Sequence, residues 1–220
     1  MDKISRAKNS LTLEEKISIG IIILFYSVGI ILLNFTSGGL YFFALDLVPI
    51  NLIFTVLLML KSQTEWNKGL IIYALGAFLL GFFIEVAGVN FGIIFGNYKY
   101  GEVLGFKLFN TPLLIGLNWF LITYSVGCLF EKVPISRFFK AGLCSIVLVI
   151  FDYFMEPVAI KHDFWSWQDG NIPYQNYVGW FATSFLICFL FQFTVWPKRN
   201  RVAGVVFLIQ FAFFLVQNIL

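Results

Sequence analysis

Long apolar runs alternate with short polar connections along the 220 residues of this chain. A helix needs about 20 mostly apolar residues to cross the hydrocarbon core of a bilayer. Seven runs predict seven transmembrane helices, which are Ile17–Phe35, Tyr41–Leu60, Gly69–Gly88, Pro112–Phe130, Phe139–Pro157, Tyr177–Trp196 and Val202–Asn218. Asp46 and Pro49 interrupt the second run. The pattern predicts an all-α integral membrane protein in which residues 1–220 form a single transmembrane helical domain.

Lysine and arginine fall mainly on one side of the predicted helices. Of the 15 such residues, 12 lie on the side of the N-terminus, including four in the polar tail of residues 1–16, and three lie on the other side. Positive charges accumulate in cytoplasmic connections. We therefore predict a multi-pass protein of the inner (cytoplasmic) cell membrane with a cytoplasmic N-terminus and an external C-terminus. We do not expect the tail to be a cleaved targeting segment, because the following apolar run is too long for a signal-peptide core.

Two of the external connections are long, roughly Val89–Thr111 and Val158–Asn176. Both are rich in aromatic, glycine, asparagine and acidic residues. Long connections in a compact domain are usually functional or disordered, and these two are too aromatic for disorder. We expect two ordered outer loops that pack on the external end of the helices.

The composition agrees with a membrane protein, since 60% of residues are hydrophobic, 12% are charged and the mean hydropathy is +0.86. A soluble domain has about 45–50% apolar and about 25% charged residues, so an ordinary soluble domain is excluded. The net charge of +3 is too small for a nucleic-acid partner. The three cysteines lie in apolar runs without CxxC spacing, and they predict neither a disulfide framework nor a zinc site.

Four acidic residues lie within the predicted helices, namely Asp46, Glu85, Asp152 and Glu156. Ionisable side chains inside a membrane cost about 2.5–3.5 kcal/mol each at the helix centre and commonly mark functional sites. The alternating helix directions place all four near the external ends, with Asn118 at a similar depth, and no Lys, Arg or His lies beside them within a predicted helix to neutralise them. The alternative interpretation is a set of hydrated rim residues, and for Asp46 alone the two interpretations have equal weight.

Asp152 and Glu156 are four residues apart, so one helix face carries both carboxyls about 6 Å apart along the axis. Two carboxyls at this spacing repel each other when both are ionised. One protonated carboxyl beside one ionised carboxyl is the arrangement that general acid–base catalysis uses. Glu85, Asp152 and Glu156 are therefore the predicted catalytic residues.

Aromatic residues accumulate near these acids in the external connections. Tryptophan and tyrosine form belts at membrane interfaces, whereas aromatic faces also stabilise carbocations by cation–π contact, and both roles stay open here. The predicted substrate-binding residues are Asp46, Asn118, Trp119, Tyr98, Tyr100, Trp165, Trp167, Asn176 and Trp180.

His162 is the sole histidine of the sequence, which excludes sites with two histidine ligands, such as those of di-iron membrane hydroxylases and desaturases. A solvent-facing or loop-structuring role for His162 is favoured over metal ligation, and no metal site is predicted. The seventh run contains no lysine, which excludes a retinal protein. No P-loop, GxSxG or dinucleotide fingerprint stands in its proper context.

Two stretches carry a specific combination of motifs: EVAGVNFGIIFGNYKYGEVLGFKLFNTPLLIGLNWF at 85–120 and FDYFMEPVAIKHDFWSWQDGNIPYQNYVGW at 151–180. An acidic residue precedes a glycine-rich FGxYxY segment, and an Asp-x-x-x-acid-Pro motif precedes WxW and an aromatic-x-Asn-x-x-GW segment. In these motifs the sequence resembles the CruF-type carotenoid biosynthesis family, the membrane carotenoid 1',2'-hydratases, which includes the archaeal bisanhydrobacterioruberin hydratases. That family often has Asp where this chain has Glu156.

The resemblance implies a hydro-lyase that adds water across the terminal 1',2' double bond of an acyclic ψ end group and forms a tertiary alcohol. Substrates of the γ-carotene or lycopene type are implied, and neither a redox cofactor nor oxygen is needed. The implied partners are the carotenoid within the bilayer, membrane lipid and other enzymes of a carotenoid pathway.

The residues themselves fit this chemistry, because a carboxylic acid can protonate the alkene, aromatic faces can shield the cation and a second carboxylate can take a proton from water. Asp152 or Glu85 is the expected proton donor. Three alternatives stay open: an acid-initiated carotenoid cyclase, a non-enzymatic carotenoid- or lipid-binding membrane protein, and a proton-coupled transporter. The shared depth of the four carboxyls argues against the transporter.

Overall fold

The computed structural model describes residues 11–220, and residues 1–10, with Lys3, Arg6 and Lys8 of the predicted tail, lie outside the described residues. The described part consists of eight α-helices and four short strands. In chain order they are α1 Leu13–Phe35, α2 Gly39–Asp46, α3 Val48–Lys61, α4 Lys68–Phe91, β1 Tyr98–Tyr100, β2 Lys107–Leu108, β3 Thr111–Pro112, α5 Leu113–Phe130, α6 Arg137–Lys161, β4 Trp165–Trp167, α7 Tyr174–Phe193 and α8 Arg201–Ile219.

Seven helical segments in the described part are long and apolar enough to cross a membrane, when α2 and α3 are counted together as Gly39–Lys61. The predicted all-α class and the seven membrane-spanning segments are thereby confirmed, and the chain is a multi-pass membrane protein. The direction of the segments and the membrane in which they lie stay predictions.

Several helices begin where a side chain can accept a hydrogen bond from the free N–H groups of the first turn. Thr12 and Glu15 form a reciprocal capping box at the start of α1. That helix therefore starts at Leu13, four residues before the predicted run. Residues 13–16, which were predicted to belong to the polar tail, are part of the helix. The side chains of Asn67 and Asn200 each accept one hydrogen bond from a backbone N–H group in the first turn of α4 and α8, respectively, as is usual for Asn at the N-cap position.

The second predicted run is two helices rather than one, with α2 ending at Asp46 and α3 beginning at Val48. Pro49 lies in the first turn of α3. Proline has no N–H group and crowds the preceding turn, so it is tolerated at the start of a helix and breaks the interior of one. Pro157, by contrast, is accommodated inside α6, which continues to Lys161.

The two long connections are joined by a small antiparallel sheet. Strand β1 pairs with β4, with Tyr98 opposite Trp167 and Tyr100 opposite Trp165. Alternate residues of a strand point to the same face of a sheet. The register therefore places two tyrosines and two tryptophans on one face, while Lys99 and Ser166 occupy the other face. Strands β2 and β3 form a short hairpin that leads into α5.

The buried core includes Tyr73, Trp119, Tyr124, Phe151 and Phe191 as large, fully enclosed side chains. In contrast, the outer faces of the helices expose large apolar side chains, such as Leu24 on α1, Leu57 on α3 and Leu79 on α4. A helix that is apolar around its whole circumference belongs to a protein core or a membrane. These exposed faces therefore suit contact with lipid chains.

Helix α7 approaches the first long connection closely at Gly179. A Cβ atom at this position would lie 2.6 Å from the carbonyl oxygen of Ile94 and 2.7 Å from the ring of Phe95. We expect Gly179→Ala to lower the free energy of unfolding by about 1–3 kcal/mol, the usual effect of overpacking. Thermal unfolding in detergent measures this effect. Gly142→Ala on α6 is the matched control, because a Cβ atom there meets nothing within 4 Å, and an equal midpoint for both variants would contradict the prediction.

Candidate active site

Glu85 lies near the end of α4 and is 5% exposed. Its Oε2 accepts hydrogen bonds from the hydroxyls of Tyr98, at 2.5 Å, and Tyr100, at 2.7 Å. Its Oε1 accepts a third bond from Nε1 of Trp119, at 2.9 Å. The two tyrosines come from β1 and the tryptophan from α5, so Glu85 is held by donors on two elements besides its own.

Glu156 lies near the end of α6 and is 1% exposed. Its Oε2 accepts hydrogen bonds from Nε1 of Trp165, at 3.0 Å, and Nε1 of Trp167, at 2.9 Å. Both tryptophans belong to β4, whose alternation aims them at the same carboxyl. The paired strands thus supply donors to both glutamates, with β1 serving Glu85 and β4 serving Glu156.

Asn176, in the first turn of α7, connects the two carboxyls of α6. Its Nδ2 donates to Oδ2 of Asp152 at 2.8 Å and to Oε1 of Glu156 at 3.3 Å. Asp152 is fully buried, and its second oxygen has no hydrogen-bond partner. The carboxyls of Asp152 and Glu156 therefore share one amide group, and Asp152 is the more poorly solvated of the two.

A cavity of about 20 Å³ lies between the two glutamates, which is room for about one water molecule. The lining residues are Glu85, Phe95, Tyr98, Tyr100, Ile115, Asn118, Trp119, Met155, Glu156, Trp165, Trp167, Asn176 and Trp180. No lining residue is a lysine, arginine or histidine. The two glutamates therefore face one cavity that has aromatic walls and no neutralising cation.

The two phenols beside Glu85 act as hydrogen-bond donors. Burial, followed by the negative charge of Glu85, raises the pKa of Tyr98 and the pKa of Tyr100 well above the ordinary tyrosine value. Both hydroxyls therefore keep their protons at neutral pH and donate to Glu85. The three donors together satisfy both oxygens of the Glu85 carboxyl.

Most of the predicted site residues meet at this cavity, with two exceptions. Asp46 is exposed at the end of α2 and is not among the lining residues, because the helix break at Leu47 ends α2 on the surface. Asp152 does not line the cavity either and reaches it only through Asn176. The structure therefore groups Glu85 and Glu156 as the carboxyls that face the cavity.

The structure adds Phe95, Ile115 and Met155 to the cavity wall. Sequence reasoning missed them because apolar residues are common throughout this chain and carry no distinguishing signal. His162 is not solvent-facing but 1% exposed, and its Nδ1 lies 3.0 Å from the hydroxyl of Tyr41. Burial and the nearby Lys161 lower the pKa of His162, which suits the loop-structuring role that was one of the two expected.

The hydrogen bonds of Asn176 should make a measurable contribution to the free energy of unfolding. We expect Asn176→Leu to lower the free energy of unfolding by about 1–3 kcal/mol, because it leaves the buried Asp152 without its hydrogen-bond donor. Thermal unfolding in detergent measures the effect. Gln168→Leu, at an exposed side chain of the second long connection, is the control. A midpoint for Asn176→Leu equal to that of the control would show that the shared amide carries little stability.

The fold and this site define a multi-pass helical membrane protein with a buried acidic cavity. Comparison with known proteins is more specific. The carotenoid biosynthesis protein family matches residues 42–220, and the chain belongs to that family, which confirms the resemblance seen in the sequence.

Among characterised relatives, the chain is similar to the bisanhydrobacterioruberin hydratase of Haloarcula japonica. The two are 27% identical over 140 residues, which cover 58% of this chain and 45% of the relative. The chain therefore aligns with less than half of that protein. No solved structure matches the chain.

Proposed function

We propose that this chain is a cofactor-independent carotenoid hydratase that adds water across the terminal 1',2' double bond of an acyclic ψ end group of the γ-carotene or lycopene type. One observation carries the proposal: two buried glutamates, Glu85 and Glu156, face one aromatic-walled cavity with room for about one water molecule. The family and the similarity to an archaeal hydratase support the same reaction.

Glu156 is the proton donor in this proposal, in place of the Asp152 or Glu85 expected from the sequence. Its Oε1 has only a 3.3 Å contact with an amide that Asp152 shares, whereas Glu85 accepts three bonds of 2.9 Å or less. Asp152 also has a poorly solvated oxygen, but of these two carboxyls only Glu156 lines the cavity and can reach an alkene there. Asp152 is then a positioning residue, which acts on Glu156 through Asn176.

The reaction balances with the residues at hand. The O–H bond of Glu156 breaks, and the π electrons of the alkene form a C–H bond at the less substituted carbon. The resulting tertiary cation faces the rings of Tyr98, Trp165 and Trp167, whose π faces stabilise positive charge. The oxygen of a water molecule bonds to the cation and loses a proton to the carboxylate of Glu85. Proton exchange with solvent then restores both glutamates.

Expression in a host that accumulates lycopene tests the reaction class, with mass analysis of the extracted pigments. A hydratase gives a product heavier by one water molecule. A cyclase gives a product of unchanged mass, and a binding protein leaves the pigments unchanged. Either of these two results would overturn the proposal, provided that the protein is shown to be present in the membrane.

A further inference from the structure

A second and larger cavity lies beside the first. Its volume is about 80 Å³, about four times that of the cavity between the glutamates, and its walls come from α1, α3, α5, α6 and α8. Leu52, Leu114, Phe151 and Val158 are among the side chains that line it. Such a lining accepts hydrocarbon and gives little hold to a charged or strongly hydrated molecule.

The lining of the second cavity extends along α6. Phe151 and His162, the residue that follows the end of this helix, both line the cavity and are eleven residues apart. At 1.5 Å per helical residue, they are about 16 Å apart along the helix axis. This spread of lining residues suits an extended chain better than a compact ligand.

The two cavities adjoin each other. Ile115, Asn118, Met155 and Trp165 line both of them. Met155 immediately precedes Glu156 in the chain, and Trp165 donates a hydrogen bond to Glu156. The junction between the cavities is therefore beside Glu156. The three donors of Glu85, which are Tyr98, Tyr100 and Trp119, line only the smaller cavity.

We infer that the two cavities divide the reactants, an inference that rests on the proposed function. The larger cavity, which has room for only a short length of hydrocarbon, holds the end of the isoprenoid chain of the substrate and presents its terminal double bond at the junction. The smaller cavity, with room for about one water molecule, holds the water that captures the cation. This division places the alkene beside Glu156 and the water beside Glu85, which matches the roles of acid and base.

Three buried polar atoms of residues that line the larger cavity have no hydrogen-bond partner, namely Nε2 of His162, Oε1 of Gln210 and Oδ1 of Asn51. Contact with a hydrocarbon chain leaves such atoms unpaired at a cost in free energy. In this inference the chain therefore lies against the apolar side chains of the lining and away from these three atoms.

The test uses lycopene as the probe and measures its binding to the purified protein in lipid nanodiscs through quenching of tryptophan fluorescence. Leu52→Phe narrows the larger cavity from α3. Leu57→Phe is the matched control, since it makes the same change on the same helix at a side chain that is 57% exposed. Both are made in the Glu156→Gln background, in which turnover during the measurement is about 10²–10⁴-fold slower.

We expect Leu52→Phe to weaken lycopene binding by about tenfold or more, as overpacking of a filled site does, and Leu57→Phe to leave it within about twofold. Equal affinities in the two variants, with thermal unfolding showing both to be folded, would overturn the inference. A failure of the proposed function looks different: the otherwise unmodified protein then adds no water to lycopene, whatever the binding results are.

Discussion

Glu156→Gln lowers the rate of water addition by about 10²–10⁴-fold, the range for loss of a general acid. The amide has nearly the same shape as the carboxyl and can still accept hydrogen bonds from Trp165 and Trp167. It cannot give a proton to an alkene, so the loss should appear in the rate of conversion rather than in the amount of protein in the membrane. The measurement is hydroxylated pigment formed per unit of folded protein.

Two variants separate this effect from a general loss of charge. Glu65→Gln changes an exposed glutamate between α3 and α4 and should retain the full rate. Asp152→Asn should reduce the rate by only about tenfold, because Asp152 acts through Asn176 and does not line the cavity. The assignment of Glu156 as donor is wrong if Asp152→Asn abolishes activity while Glu156→Gln retains most of it.

Glu85→Gln alone should also lower the rate of water addition by about 10²–10⁴-fold, because it removes the proposed base that takes a proton from the attacking water. The two phenols that donate to Glu85 would then face a neutral amide. Glu85→Asp keeps the carboxylate on a shorter side chain and should recover part of the rate. A folded Glu85→Gln variant with the rate of the unchanged protein would show that the water needs no base at this position.

The depth of the site could be predicted from the sequence, because it follows from where an acidic residue falls within an apolar run. Glu85 and Glu156 were placed at one end of the helices in this way, and the structure brings them to one cavity. The aromatic residues Tyr98, Tyr100 and Trp165 were likewise predicted at the site, since their motifs stand beside these acids in the chain.

Other features depend on contacts that no local pattern encodes. The pairing of β1 with β4 joins residues about 70 positions apart, so the bonds from Trp165 and Trp167 to Glu156 could not be foreseen. The absence of Asp152 and Asp46 from the cavity wall could not be foreseen either, because both lie in apolar runs near the same predicted end of the helices as the other two acids. Only packing shows that Asn176 covers the first and that the helix break at Leu47 leaves the second on the surface.

The pairing of β1 with β4 also has a mechanical consequence. Each strand holds one of the two glutamates, and the strands are hydrogen-bonded to each other. A displacement of either connection therefore disturbs the environment of both ionisable groups together. A conformation in which the two strands separate would therefore lack the proposed acid and the proposed base at the same time.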